Sequence, residues 1–167
     1  FVVGGDGTLR GASLVADEAA RRGLPIAVVG VPKTIDNDIP WIDHSFGFQT
    51  AFARAAESIQ AAHTEASSGV NGIGLVKLMG RHSGFIAAHA TLVAQGVDFT
   101  LIPEVPFTLE GLLAGVRKKL ADQGHAVVVV AEGAGQDLLP ASTATDPSGN
   151  RKLGDIGAFL RQEISDG

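Results

Sequence analysis

The residues Lys33-Thr34-Ile35-Asp36-Asn37-Asp38 put one cation, one hydroxyl and two carboxylates in a single short stretch. Asp36 and Asp38 are two apart, so in an extended loop both side chains point the same way and Asn37 is turned aside. One carboxylate of such a pair can accept a proton while the other orients a metal-bound or cationic group. Asp and Asn also favour turns by bonding their own backbone, and spacing alone leaves both roles open. An EF-hand calcium loop is excluded, because the position that needs glycine holds Trp41.

A second constellation is Gly4-Gly5-Asp6-Gly7-Thr8. Glycines between a strand and a helix let the backbone approach a phosphate, and the helix N-terminus supplies N–H donors. Asp6 at a strand end can hold Mg²⁺, mostly through water, since that ion keeps much of its shell. The run is not a Walker A loop, and it lacks the third glycine of the dinucleotide fingerprint. A tight turn that needs glycine for its dihedrals is the plainer reading of the same residues.

The elements that must position these residues alternate in type. Residues 1–3 read as the tail of a buried strand, 9–22 as a helix stopped at Gly23, and 26–29 as a buried strand between Pro25 and Gly30. Such a unit implies a parallel crossover. It places the Asp36 stretch at the carboxyl edge of the sheet, where open α/β sheets bind ligands. Residues 31–45 form a long irregular stretch, of a length that tends to be functional. Further on, helices are predicted over 49–66, 83–95, 109–123 and 153–164. Strands are predicted over 73–79, 99–102 and 126–131, and 140–150 is a Ser/Thr/Pro/Gly-rich, mobile stretch. The alternation predicts an α/β, mainly parallel sheet covered by helices on both faces.

The chain's 167 residues include no cysteine, which removes disulfide, zinc-thiolate and thiol-nucleophile chemistry and suits a cytoplasmic location. With 45% hydrophobic residues and 22 glycines, the composition is that of a folded α/β protein. A net charge of −5 argues against a nucleic-acid partner, and no apolar run reaches membrane-spanning length. The chain starts at Phe1 inside a predicted strand, so it is expected to be an internal piece of a longer protein. His82 and His89, both expected on one helix, read as surface or core polar residues rather than metal ligands. Glu104 reads as structural and Gln136-Asp137 as loop.

Taken together, Gly-Gly-Asp-Gly-Thr at 4–8 and Pro-Lys-Thr-Ile-Asp-Asn-Asp at 32–38 resemble the 6-phosphofructokinases. The likeness continues through Gly47-Phe48-Gln49-Thr50-Ala51, Met79-Gly80-Arg81, Pro103-Glu104-Val105-Pro106-Phe107 and Glu132-Gly133-Ala134-Gly135. It is closest to the plant-type and related bacterial branch. The resemblance implies a three-layer fold of two Rossmann-like domains. Residues 1–47 would belong to the nucleotide domain with the catalytic loop, and 48–167 to the fructose 6-phosphate domain, both incomplete.

By the same resemblance, Asp36 is the general base for the sugar 1-hydroxyl, and Asp38 binds the sugar and the Mg²⁺ environment. Asp6 holds Mg²⁺ on the donor phosphates, which Gly5, Gly7, Thr8 and Lys33 flank. Thr34 contacts the transferring phosphoryl group, and Met79, Gly80, Arg81 and Glu132 line the sugar pocket. Arg81 also offers charge to phosphate oxygens. Gly7 leaves room for the α-phosphate of ATP, where a carboxylate would favour pyrophosphate. Lys33 is shared with the pyrophosphate enzymes. Gly72 stands where many bacterial members carry an arginine that reaches a neighbouring subunit's substrate. The implied protein is an ATP-dependent, Mg²⁺-requiring glycolytic kinase of the cytoplasm, a homo-oligomer (dimer or tetramer) with no nucleic-acid or membrane partner. A pyrophosphate-dependent enzyme and a non-catalytic regulatory homologue are the alternatives.

Overall fold

The computed structural model describes residues 1–141, 144, 145, 149 and 151–166. Two parallel sheets carry these residues. In the first, β1 (Val2–Gly4) pairs with β2 (Gly30–Pro32) after the crossover helix α1 (Asp6–Arg21). The second holds β3 (Gly72–Leu78), β4 (Phe99–Leu101) and β5 (His125–Ala131) in the order β3-β5-β4. Its connections are α3 (Phe85–Ala94) and α4 (Leu109–Gln123), while α2 (Phe48–Ser68) precedes it and α5 (Ile156–Asp166) follows.

The core is built around β5, whose residues Ala126 to Ala131 are wholly buried. Successive side chains of a strand point to opposite faces. Val127, Val129 and Ala131 accordingly pack with Phe48, Ile59 and Ile86 of α2 and α3. Ala126, Val128 and Val130 pack with Leu112, Val116, Ile156 and Leu160 of α4 and α5. An apolar run with no alternation is what a strand covered on both faces requires. Each buried valine contributes about 1.5–3 kcal/mol relative to exposure. The predicted helical cover on both faces is therefore observed for the β3-β5-β4 sheet, and all the described strands pair in parallel.

Several boundaries differ from expectation. The predicted strand over 26–29 is not one: Ile26 and Val29 are about half exposed, and the ladder begins at Gly30. A four-residue apolar run does not set its own register, which depends on the partner strand. Phe1 and Val3 are likewise exposed rather than buried. Helix α1 starts at Asp6 instead of residue 9, because Leu9 N–H already donates to the Gly5 carbonyl at 3.0 Å. Helix α5 starts at Ile156, three residues later than predicted. Gln136 is more than loop. It lies in a 3-10 turn (Gln136–Leu138), and its amide bonds the Glu132 carbonyl and both backbone polar groups of Gly154. The stretch 140–150, expected to be mobile, lies in large part outside the described residues.

Candidate active site

The two motif segments meet at the carboxyl end of the β1–β2 sheet. Lys33 N–H donates to the Gly4 carbonyl at 2.7 Å, and a Cβ on Gly5 would come within 3.5 Å of the Lys33 carbonyl and 3.7 Å of Thr34 Cβ. Asp6, Gly7 and Thr8 occupy the first turn of α1, where backbone N–H groups have no intrahelical acceptor. That turn is a local concentration of donors suited to an anion. Thr8 closes over Gly4, where a Cβ would sit 2.5 Å from the threonine side chain. Gly7 faces open space, with nothing within 4 Å of where its Cβ would be.

A cleft of about 470 Å³ runs between these segments, lined by Asp6, Asp38, His82, Ser83, Phe85 and Glu104 among others. Ser83 Oγ donates to the Asp36 carbonyl at 3.2 Å, which fixes the loop after β2 to the loop after β3. Glu104 Oε1 accepts the Gly84 N–H at 2.7 Å and steadies the start of α3. Gly80 adopts φ +132°, and a Cβ there would lie 2.5 Å from the Ser83 carbonyl. Only glycine suits that backbone and that space. A Cβ on Gly133 would meet the Arg81 carbonyl at 1.9 Å, so the 80–83 and 132–135 loops are in direct backbone contact.

Asp36 is half-buried, and its Oδ1 is a buried atom with no hydrogen-bond partner. Burial, then the neighbouring charges of Asp38 and Glu132, push its carboxyl above the ordinary aspartate range, against the opposing pull of His82 and Arg81. A carboxylate raised in this way is suited to taking a proton near neutral pH. Asp38 is exposed on the cleft. The two carboxylates thus differ in burial, while Asp38 is near enough for its charge to act on Asp36. Asn37 between them takes a left-handed backbone (φ +57°) and is itself buried, so the loop is not extended there.

The remaining residues expected at the site divide in two. Arg81 and Glu132 act on Asp36, and Arg81 Nη1 also donates to the Arg151 carbonyl at 2.8 Å. Met79, about half exposed, faces a separate apolar groove with Ile35 and Ile86. His82 is not on the helix with His89, since α3 begins only at Phe85; it lines the cleft instead. His89 packs edge-on against Phe48 with ring centroids 4.9 Å apart. Sequence reasoning missed Ser83 and His82 as part of the site; their position directly after Met79-Gly80-Arg81 was the available signal.

For Mg²⁺ the donors are sparse. Among the described residues no group of three or more His, Asp or Glu side chains is gathered to hold a metal. Asp6 Oδ2 pairs with Arg10 at 2.7 Å, both side chains being well exposed. Such an exposed pair is worth little and leaves the carboxylate free to turn. A single carboxylate fits Mg²⁺ where substrate phosphates and water complete the shell, and does not fit a dedicated protein cage.

A family model described as Phosphofructokinase matches residues 1–167, the whole chain. The chain belongs to the phosphofructokinase family. Over 172 residues this phosphofructokinase chain is 57% identical to ATP-dependent 6-phosphofructokinase 7 of Arabidopsis thaliana, covering 99% of the chain and 36% of that protein. It is 58% identical over 174 residues to ATP-dependent 6-phosphofructokinase of Amycolatopsis methanolica, covering 98% of the chain and 38% of that protein. The fold is similar to a crystal structure of pyrophosphate-dependent phosphofructokinase from Nitrosospira multiformis. There the TM-score is 0.79 at 28% identity, over 99% of this chain and 40% of that one. The phosphofructokinase chain thus spans a little over a third of the relatives it matches. Among its described residues no helix is long and apolar enough to cross a membrane.

Proposed function

We propose that the protein transfers the terminal phosphoryl group of ATP to the 1-hydroxyl of fructose 6-phosphate, giving fructose 1,6-bisphosphate and ADP. The observation that carries this reading is the buried, unpartnered Oδ1 of Asp36, raised in pKa, on the loop whose Lys33 N–H bonds Gly4 just ahead of α1. Asp36 takes the proton of the sugar hydroxyl as that oxygen bonds to the terminal phosphorus. The bond from that phosphorus to its bridging oxygen breaks, the electron pair leaves with ADP, and Asp36 returns its proton to water. Little covalent chemistry falls to the protein, so positioning and charge neutralisation supply most of the catalysis.

The first-turn N–H groups at Asp6, Gly7 and Thr8, with Gly5 allowing close approach, bind the donor phosphates. Lys33, exposed at the end of β2, adds a point charge to them. Thr34 contacts the transferring group. Asp38 binds the sugar side of the cleft, while Glu132, Gly80, Met79 and Arg81 shape the sugar pocket. Asp6 would hold Mg²⁺, which when bound neutralises charge on the donor phosphates. Residues 1–47 serve as part of the nucleotide domain and 48–167 as part of the sugar domain. The complete protein acts in the cytoplasm in glycolysis as a homo-oligomer, a dimer or tetramer.

Gly7 supports ATP as donor, since the space beside it is open. Lys33 and the fold likeness to a protein named as pyrophosphate-dependent favour a second reading, in which pyrophosphate is the donor. A regulatory homologue without turnover has no use for an intact Asp6, Asp36 and Asp38. Parallel assays of the full-length protein with ATP and with pyrophosphate, at saturating fructose 6-phosphate, test the reading. Turnover with ATP is expected, and turnover with pyrophosphate alone would replace ATP as donor. No turnover with either would leave the regulatory reading.

A further inference from the structure

Asn37 stands between the two carboxylates in a left-handed conformation, φ +57°. Few residues other than glycine adopt it, and asparagine does so where its short side chain bonds locally. Here the side chain is buried and both its polar ends are used. Its Oδ1 accepts the Ser45 N–H at 2.7 Å, and its Nδ2 donates to the Asp43 carbonyl at 3.0 Å. Ser45, also buried, donates its hydroxyl to the Thr34 carbonyl. These three bonds close the loop on both sides of Asp36.

From the opposite side, Ser83 holds the Asp36 carbonyl. The Asp36 Oδ1 has no such support, being buried without a hydrogen-bond partner. Its aim must therefore come from the backbone that carries it. On the two sides of the left-handed Asn37, Asp36 is half-buried and Asp38 exposed. Two carboxylates in unlike surroundings can take unlike roles.

We propose that Asn37 is a positioning residue: its clamp on Asp43 and Ser45, carried on to Thr34 by the Ser45 hydroxyl, aims the Asp36 carboxylate. The claim rests on the base role of Asp36 given above. A reacting group displaced by about 1 Å can cost about 100-fold in rate, so the clamp need not touch substrate to matter.

The test uses the full-length protein with Asn37→Gly, which keeps the left-handed backbone accessible and removes both side-chain bonds. kcat should fall about 10- to 100-fold, with a much smaller change in KM for fructose 6-phosphate. The acid limb of the kcat–pH profile should also move down, toward an ordinary aspartate, as water reaches Asp36. The charges that face Asp36 are Asp38, Glu132, His82 and Arg81, and none of them is altered by this substitution. A merely structural role would lower the melting temperature and leave kcat and the acid limb of the folded enzyme in place, which overturns the proposal. Should Asn37→Gly not fold, Ser45→Ala decides by removing only the bond to Thr34. A kcat loss with KM kept supports the clamp, and an unchanged kcat overturns it. Asp36→Asn runs beside them as a control. If it turns over normally, the base role and the positioning claim both fall. If it is inactive while Asn37→Gly is fully active, the positioning claim falls alone.

Discussion

Ser83 Oγ donates to the backbone carbonyl of Asp36 at 3.2 Å, across a separation of 47 residues. The bond joins the loop after β2 to the loop after β3, each leaving the carboxyl end of a parallel strand. Ligands of open parallel sheets bind at such ends. The joint holds a carboxylate whose Oδ1 is buried without a partner.

Asp36→Asn in the full-length protein should lower kcat by about 10²–10⁴, with a much smaller effect on fructose 6-phosphate affinity. Wild-type kcat should fall as pH drops through the raised pKa of Asp36, at a pH above the range of an ordinary aspartate. For stability the sign is opposite. A carboxyl raised in the folded state contributes stability below its unfolded pKa and loses it as pH rises through the folded value. At neutral pH the variant should therefore be at least as stable as wild type, with the difference shrinking on acidification. Steady-state kinetics and thermal melts across pH check both halves, and a variant with near wild-type kcat would remove Asp36 as base.

Asp98 is a second buried carboxylate, used for stability. Its side chain is 7% exposed and accepts the Val127 N–H at 2.9 Å, the Lys119 ammonium at 2.9 Å and the Gln123 amide at 3.2 Å. Burial alone would raise its pKa, but these bonds outweigh it and hold Asp98 below the usual range. A depressed carboxyl contributes stability above its unfolded pKa and loses it as pH falls through the folded value. Asp98→Ala leaves the Val127 N–H at the edge of the core without its acceptor, and should cost about 1.5–3 kcal/mol. Denaturant unfolding at pH 7 and at acid pH measures this; the deficit should shrink at acid pH.

How much of this was legible depended on where the signal was local. Helix α4 runs over Leu109–Gln123 as predicted, because its ends are written in the chain. Thr108 Oγ1 caps the Gly111 N–H at 3.1 Å, and Gly124 stops the helix. Strand β5 was legible because a run buried on both faces needs no partner to be recognised. Strand β2 was not, since Ile26 looks as apolar as Val127 and only pairing with β1 distinguishes them. At the site, the motif residues could be named but not aimed. The left-handed turn at Asn37 depends on Ser45, eight residues away, and nothing in the spacing of Asp36 and Asp38 announces it.

Gly72 is fixed by packing. A Cβ there would lie 2.1 Å from the Ala66 carbonyl and 2.9 Å from Ala66 Cα, where the end of α2 meets the start of β3. Introducing an arginine here, as the family resemblance suggests for other members, cannot simply add a contact, because even its first carbon has no room. Gly72→Ala should cost about 1–3 kcal/mol through backbone displacement, and Gly72→Arg at least as much. Chemical denaturation of the two variants checks this, and wild-type stability in Gly72→Arg would show that the α2–β3 junction gives way freely.

Gly7→Asp separates donor choice from folding. Nothing lies within 4 Å of a Cβ at Gly7, so a side chain there has room. The position falls in the first turn of α1, where a carboxylate is favoured by the helix dipole. The variant should therefore fold with wild-type stability or slightly better. In the proposed function its carboxylate would stand beside donor phosphates held at the first-turn N–H groups. A like-charge pair at 4 Å costs about 1 kcal/mol in water and about 4 kcal/mol at an effective dielectric of 20. kcat/KM for ATP should thus fall by about 5-fold at least and several hundredfold at most, with water screening setting the place between. Pyrophosphate lacks the nucleotide's α-phosphate and would not extend into the space, so any activity with it should change far less. Parallel kinetics with the two donors, together with a melting curve, check the argument. Equal losses with both donors in a stably folded variant would mean that Gly7 serves phosphate approach in general, and would leave Lys33 as the residue to examine for donor choice.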